Sequence, residues 1–130
     1  MRFAPDDTAA GHFLQGYDES GIVIAGRRHT GSVLVCAELV ESPWGAADLA
    51  ALDAAQLERL HGLAPQVLLF GTGRRSRLPR PELLLPFSRL GIGVEIMTTI
   101  AACRTYNLLL AEGRRVIAVL LPPGADPDGD

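Results

Sequence analysis

The stretch Val67-Leu-Leu-Phe-Gly-Thr-Gly-Arg-Arg-Ser-Arg-Leu-Pro-Arg-Pro81 decides how this chain is read. Its first four residues form an unbroken apolar run, the pattern of a strand buried on both faces, and Gly71 and Gly73 then end it. A loop with Arg74, Arg75, Arg77 and Arg80 follows, and Pro81 opens the next helical segment. A buried strand that hands the chain to a loop and then a helix is the first half of a β-α-β unit.

The same grammar continues downstream. Pro81 to Leu90 reads as a short helix closed by Gly91, with Pro86 in or near its first turn or bending it. Ile92 to Met97 reads as a strand. Thr99 to Glu112 is the strongest helix, capped by Thr98 and ended by Gly113. Arg115 to Leu121 is the last strand, stopped by Pro122 and Pro123. Strands joined in this way run parallel with right-handed crossovers. The loops after Phe70 and Met97 therefore share the carboxyl edge of the sheet, where open α/β sheets bind ligands.

Upstream, Asp53 to Leu60 is helical, with Asp53 as the N-cap and Gly62 as the stop. Before residue 45 the pattern turns β-like. Phe13 to Tyr17, Gly21 to Ala25 and Ser32 to Leu39 predict a three-stranded antiparallel meander, with turns at Asp18–Gly21 and Arg27–Gly31. The reading is one α/β domain over residues 11–122, a meander followed by βαβαβ. Residues 1–10 are expected to be a flexible leader and residues 123–130 an acidic disordered tail.

Composition narrows the chemistry. At 130 residues and 48% hydrophobic content, the chain can bury one ordinary core. No apolar run reaches the ~18–20 residues of a membrane span, and no signal peptide is visible, so a cytoplasmic protein is expected. The net charge of −3 argues against general nucleic-acid binding. All twelve basic residues are arginines, which rules out Schiff-base and lysine-dependent phosphate chemistry. His12, His29 and His61 lack metal-ligand spacing, and no metal or other cofactor is expected. Cys36 and Cys103 read as buried reduced thiols.

The glycine loop fails as a phosphate motif. A Walker loop requires lysine, and the dinucleotide fingerprint requires a third glycine and a helix directly after it. At the other loop, Thr98 and Thr99 offer hydroxyls and helix-start amides without a competing acid, the elements of an anion site. On the long helix, the 3.6-residue period places Thr99, Ala102, Cys103, Tyr106, Leu109 and Leu110 on the core face. Asn107 falls at the boundary, where it could serve the core or a site. Glu95 is the one candidate acid/base group near the crevice. Trp44 lies in a connection, where it either covers the core edge or anchors an interface. The arginines suit a carboxylate- or phosphate-bearing partner, since the guanidinium fork pairs with both. RNA is disfavoured because the loop lacks stacking aromatics.

The Gly71-Thr72-Gly73 turn, followed by Glu95, Met97, Thr99, Ala102, Thr105, Tyr106, Asn107 and Leu109 in the order E-x-M-x-T-x-x-A-x-x-T-Y-N-x-L, resembles a known pattern. It is that of the domain-of-unknown-function family shared with mitochondrial respiratory complex I assembly factor 3, and the likeness runs from about Gly11 to Pro122. The chain looks like the short proteobacterial branch, without a mitochondrial presequence. The resemblance implies a three-layer β/β/α fold with a mixed central sheet, a smaller β layer and helices on one side. It also implies that the bacterial members have no assigned reaction, while the mitochondrial relative binds a partner assembly factor and early complex I subunits.

Two functions follow. The first is a non-catalytic protein-binding module, assembly-factor-like, using the basic Gly71–Arg80 loop with Arg74 and Arg75, Trp44 and the adjacent helix start. The second is a small-molecule or anion site, possibly enzymatic, in a crevice between Gly71–Gly73 and Thr98–Thr99 with Glu95 and Asn107 at hand. Catalysis needs a positioned reactive group and a second group to orient it, and at most one is visible. The binding module is the preferred reading.

Overall fold

The computed structural model describes residues 11–45 and 48–128. The leader expected at residues 1–10 and the last two tail residues lie outside the described residues. A small antiparallel sheet contains β1 (Leu14–Asp18), β2 (Gly21–Ile24) and β3 (Arg27–His29), in that order. A mixed sheet contains β4 (Val33–Cys36), β5 (Leu39–Glu41), β6 (Val67–Gly71), β7 (Gly93–Met97) and β8 (Val116–Leu120), in the order β5-β4-β8-β6-β7. The helices are α1 (Ala54–His61), α2 (Pro81–Arg89) and α3 (Thr99–Ala111), with a 3-10 turn at Leu49–Ala51.

The second half of the chain matches its sequence pattern. Asp53 caps α1 by accepting from the Gln56 amide at 2.8 Å, and the Gln56 side chain accepts from the Asp53 amide at 3.0 Å, a complete capping box. Pro81 sits at the first position of α2, where a missing N–H costs nothing. Pro86 lies inside that helix, beyond its first turn. Strand β6 pairs in parallel with both β7 and β8, so Gly71 stands level with Met97 on one side and Leu120 on the other.

The first half needs correction. The third meander strand is Arg27–His29, which composition had marked as a turn. The real turn is Ala25-Gly26, with φ of 51° and 80°, a two-residue connection that brings Arg27 opposite Ile24. Strand β3 is polar because it is an exposed edge. The run Ser32–Leu39 divides instead into β4 and the start of β5, a hairpin in the other sheet. All four residues of β4 are buried, because the strand lies between β5 and β8 and is covered on both faces.

The crossovers settle the layers. Moving from β6 to β7 is a step outward, whereas moving from β7 to β8 returns past β6. Two right-handed crossovers in opposite directions must put α2 and α3 on opposite faces. One face of the central sheet (Val35, Leu69, Ala118) indeed packs with α3 and the small sheet. The other (Leu34, Leu68, Ile117) packs with α1 and α2. The fold is thus three-layer β/β/α with a mixed central sheet, but α3 shares the small sheet's layer, so the helices do not all lie on one side.

Candidate functional site

Adjacent parallel strands whose connections leave to opposite faces create a switch point, here between the ends of β6 and β7. Thr72 and Thr99 do meet there, as their strand ends require. The crevice expected between them is closed by the chain itself. The Thr72 amide donates to Met97 O at 2.9 Å, the Thr99 amide to Gly73 O at 2.9 Å, and the Leu121 amide to Gly71 O at 2.9 Å, so the strand ends stay laced past the sheet. A Cβ on Gly71 would lie 2.8 Å from Thr99 Cα, which explains glycine where α3 starts against the strand.

The hydroxyls face inward as well. Thr99 Oγ1 accepts from the Gly73 amide at 2.8 Å and donates to Leu121 O at 2.8 Å, and the residue is fully buried. Thr72 Oγ1 donates to Arg75 O at 2.6 Å and accepts from the Arg77 amide at 3.1 Å, folding the arginine loop onto itself. Thr98 caps α3, accepting from the Ala101 amide at 3.3 Å, while the Ala102 amide donates to Thr98 O. The amides of Thr72, Gly73, Thr99 and Ala101 are therefore occupied by protein acceptors. The reading of Thr98–Thr99 and Gly71–Gly73 as an open ligand crevice is overturned, because internal bonds fill the space and its donors.

Outside this knot lies the arginine rim. Arg74, Arg75 and Arg77 reach the tail expected to be disordered, whose residues 123–128 are instead folded back. Arg74 Nη2 stands 3.3 Å from Asp126 Oδ2, Arg75 Nη2 stands 2.9 Å from Asp126 Oδ1 and 3.0 Å from Asp128 Oδ2, and Arg77 Nε stands 3.4 Å from Asp128 Oδ1. The Arg74 amide also donates to Ala125 O at 2.9 Å, and Pro123 and Pro127 are buried. Gly73 has φ of 94°, and a Cβ there would lie 2.3 Å from Ala125 O, so the tail approaches the turn too closely for a side chain. The Asp128 amide and then Arg75 and Arg74 hold the Asp126 carboxyl below its ordinary value. The Asp128 and Asp126 carboxylates raise the Arg75 guanidinium. Arg80 turns elsewhere and donates to Leu52 O at 2.8 Å.

The other expected site residues do not join this cluster. Trp44 is buried among Leu34, Leu52 and Leu57 and covers the core edge, so it is no interface anchor. Asn107 accepts from the Leu14 amide and donates to Leu14 O, both at 2.8 Å, clamping β1 to α3. Tyr106 makes the neighbouring link, donating to His12 O at 2.8 Å. Glu95 is exposed on the edge strand β7, outside the laced strand ends. Cys103 is buried, and desolvation pushes its thiol up to about 12, far from a nucleophile. A shallow groove of about 320 Å³ at the opposite end of the sheet includes Cys36, Leu110, Arg114 and Arg115. Burial pushes the Cys36 thiol up as well.

Three residues of the rim escaped sequence reasoning. Leu78, next after Arg77, is 74% exposed, an apolar side chain offered beside the guanidinia. Asp126 and Asp128 face the arginines across about fifty residues of chain. Their available signal was charge complementarity between a basic loop and an acidic terminus, which composition alone cannot convert into contact.

Comparison with known proteins bears on what this arrangement is for. The family model described as a protein of unknown function (DUF498/DUF598) matches residues 14–121. An uncharacterized Rhodobacter capsulatus protein is 45% identical over 119 residues, 88% of each chain. The Xenopus tropicalis NADH dehydrogenase [ubiquinone] 1 alpha subcomplex assembly factor 3 is 30% identical over 123 residues, 93% of this chain and 67% of that protein. Among solved structures, a Bordetella pertussis protein described as a Mth938-like domain is 34% identical, with a TM-score of 0.79 and coverage of 98% of this chain and 96% of that one.

Proposed function

The chain belongs to the DUF498/DUF598 family of proteins of unknown function, and from that premise we propose that it is a non-catalytic, assembly-factor-like module that binds another protein through the rim Arg74, Arg75, Arg77 and Leu78. One observation carries the reading. At the sheet edge where α/β proteins usually take small ligands, the threonine hydroxyls are bonded within the chain and buried or half-buried, whereas the guanidinia of Arg74, Arg75 and Arg77, although paired with Asp126 and Asp128, keep about half of their side-chain surface in solvent beside the exposed Leu78. Forked cations beside an apolar side chain suit a protein surface, since arginine is enriched at interfaces and pairs bidentately with carboxylates. The name of the amphibian relative, an assembly factor for a respiratory complex, supports a protein partner in general terms.

The test is affinity capture from the cells that make the protein, comparing wild type with Arg74→Glu combined with Arg75→Glu. The expected result is loss of the specifically captured protein from the variant, with a cooperative thermal melt showing that the fold survives the loss of the Asp126 and Asp128 pairs. Retention of every captured protein by a folded variant refutes the reading.

A further inference from the structure

We propose that the rim recognises a short acidic peptide segment of its partner, and that the protein's own Ala125–Asp128 segment occupies the same place as an internal competitor. This rests on the protein-binding reading above and specifies the chemistry of the partner. Three features of the docked tail support it.

First, the tail is held as a peptide ligand would be held. Its main chain is read by the Arg74 amide at Ala125 O and by the Leu49 amide at Pro127 O, at 2.9 and 3.3 Å. Its two carboxylates take all three rim guanidinia. A site that reads both backbone and alternate side chains of a segment is a peptide site rather than a counter-ion layer. Asp126 and Asp128 are spaced i, i+2, so an Asp-x-Asp or Glu-x-Asp segment in a partner could repeat the same contacts.

Second, the occupancy is exchangeable. The Arg74, Arg75 and Arg77 side chains remain 58%, 50% and 57% exposed and Asp128 is 44% exposed, so the Asp128 pairs lie in solvent while Asp126, at 12%, is the anchor a partner's carboxylate must replace. Ion pairs in such solvent are individually weak, so a partner that adds contacts can displace them. Third, the tail leaves Leu78 uncovered at 74% exposure. A partner with an apolar residue beside its acidic pair gains a contact that the internal segment lacks. A nucleic acid is the less favoured occupant, because the present occupant is itself carboxylate-bearing, the chain is net negative at −3, and no aromatic side chain lies in Gly71–Arg80.

The experiment uses the full chain and a labelled peptide copying residues 122–130, read by fluorescence anisotropy at low salt. Neutralising the internal competitor with Asp126→Asn and Asp128→Asn should tighten peptide binding by about tenfold, the gain expected if the tail closes the site nine-tenths of the time. The same peptide with asparagines in place of aspartates should not bind. Asp128→Asn alone, a change at the surface, should give a smaller gain in the same direction and covers the case in which the double variant misfolds. Equal peptide affinity in wild type and in the folded neutralised variants overturns the proposal. So does a single-stranded RNA oligonucleotide binding the neutralised variant more tightly than the peptide. Cell capture separates the two readings. Loss of partner on reversing the arginines, without a gain on neutralising the tail, sinks only the competitor. Indifference to the arginines sinks the protein-binding rim itself.

Discussion

Replacing Thr99 with valine tests the claim that the carboxyl edge is a structural knot and not a binding crevice. Valine has nearly the same shape but neither donates nor accepts. The change orphans the Gly73 N–H and the Leu121 carbonyl, each 2.8 Å from the lost hydroxyl in a fully buried site. Each stranded group costs ~1–3 kcal/mol, and the added methyl returns ~1 kcal/mol, leaving a net loss of about 1–5 kcal/mol. In urea, with a slope of ~2 kcal/mol per molar, the midpoint should fall by about 0.5–2.5 M. The melting temperature should fall by ~10 °C for a domain of this size. Thr99→Ser keeps the hydroxyl and removes one methyl, so it should cost only about 1 kcal/mol. Hydrogen exchange supplies the local readout: the Gly73 amide should be protected in wild type and in the serine variant, and should exchange faster in the valine variant. A valine variant within ~0.5 kcal/mol of wild type would refute the reasoning, because a buried donor and acceptor cannot both be abandoned without cost. A serine variant as damaged as the valine one would refute it too, since the loss would then belong to the methyl.

Three further outcomes follow from the same geometry. Asn107→Asp keeps an acceptor for the Leu14 amide but sets an oxygen against the Leu14 carbonyl, and should lose about 2–3 kcal/mol in chemical denaturation; an unaffected aspartate variant would mean that β1 is not clamped there. Cys103, pushed up to about 12, has a folded-state value above the unfolded one, so its contribution is complete below the unfolded value near 9 and disappears as pH rises toward 12. Stability should therefore fall above pH 9 by up to ~1.4 kcal/mol per pH unit from this group, a slope that Cys103→Ala reduces. Trp44 is the one tryptophan and is buried, so its emission should be blue-shifted, poorly quenched by acrylamide, and unchanged when the rim is occupied; a large shift on occupancy would return it to the interface.

What the sequence reveals differs between the two halves for a physical reason. From Asp53 onward each element carries its own punctuation: Asp53 and Thr98 accept helix-start amides, and Gly91 and Gly113 take positive φ just beyond helix ends. The period of α3 likewise assigns Cys103 and Tyr106 to the core from sequence alone. Before residue 45 the strands are three to five residues long, and their partners are chosen by tertiary packing. Arg27–His29 is polar because one edge meets water, and nothing local distinguishes that from a turn. The site was half legible. Parallel strands correctly bring Thr72 to Thr99, but whether neighbouring polar groups face a ligand or each other depends on a few ångströms of closure. Asn107 shows the same limit: its place on the helix boundary is periodic, while its clamp on Leu14 spans 93 positions of sequence.

The family pattern itself reads differently once its bonds are known. Gly71 admits the first residue of α3, Gly73 admits the Ala125 carbonyl, Thr99 ties two strand ends together, and Tyr106 and Asn107 hold the small sheet. Each of these positions does a job internal to the fold, so possession of the pattern identifies the scaffold and says little about what the scaffold meets. The residues of the proposed rim, Arg74, Arg75, Arg77 and Leu78, all lie outside the pattern, and of the pattern's own positions Glu95 is exposed as well. If the proposed rim is the binding surface, relatives that share the scaffold differ in partner through four neighbouring loop positions, without any change to the knot beneath. Grafting a relative's residues at those positions should transfer partner preference while leaving stability within ~0.5 kcal/mol, the range of ordinary surface substitutions.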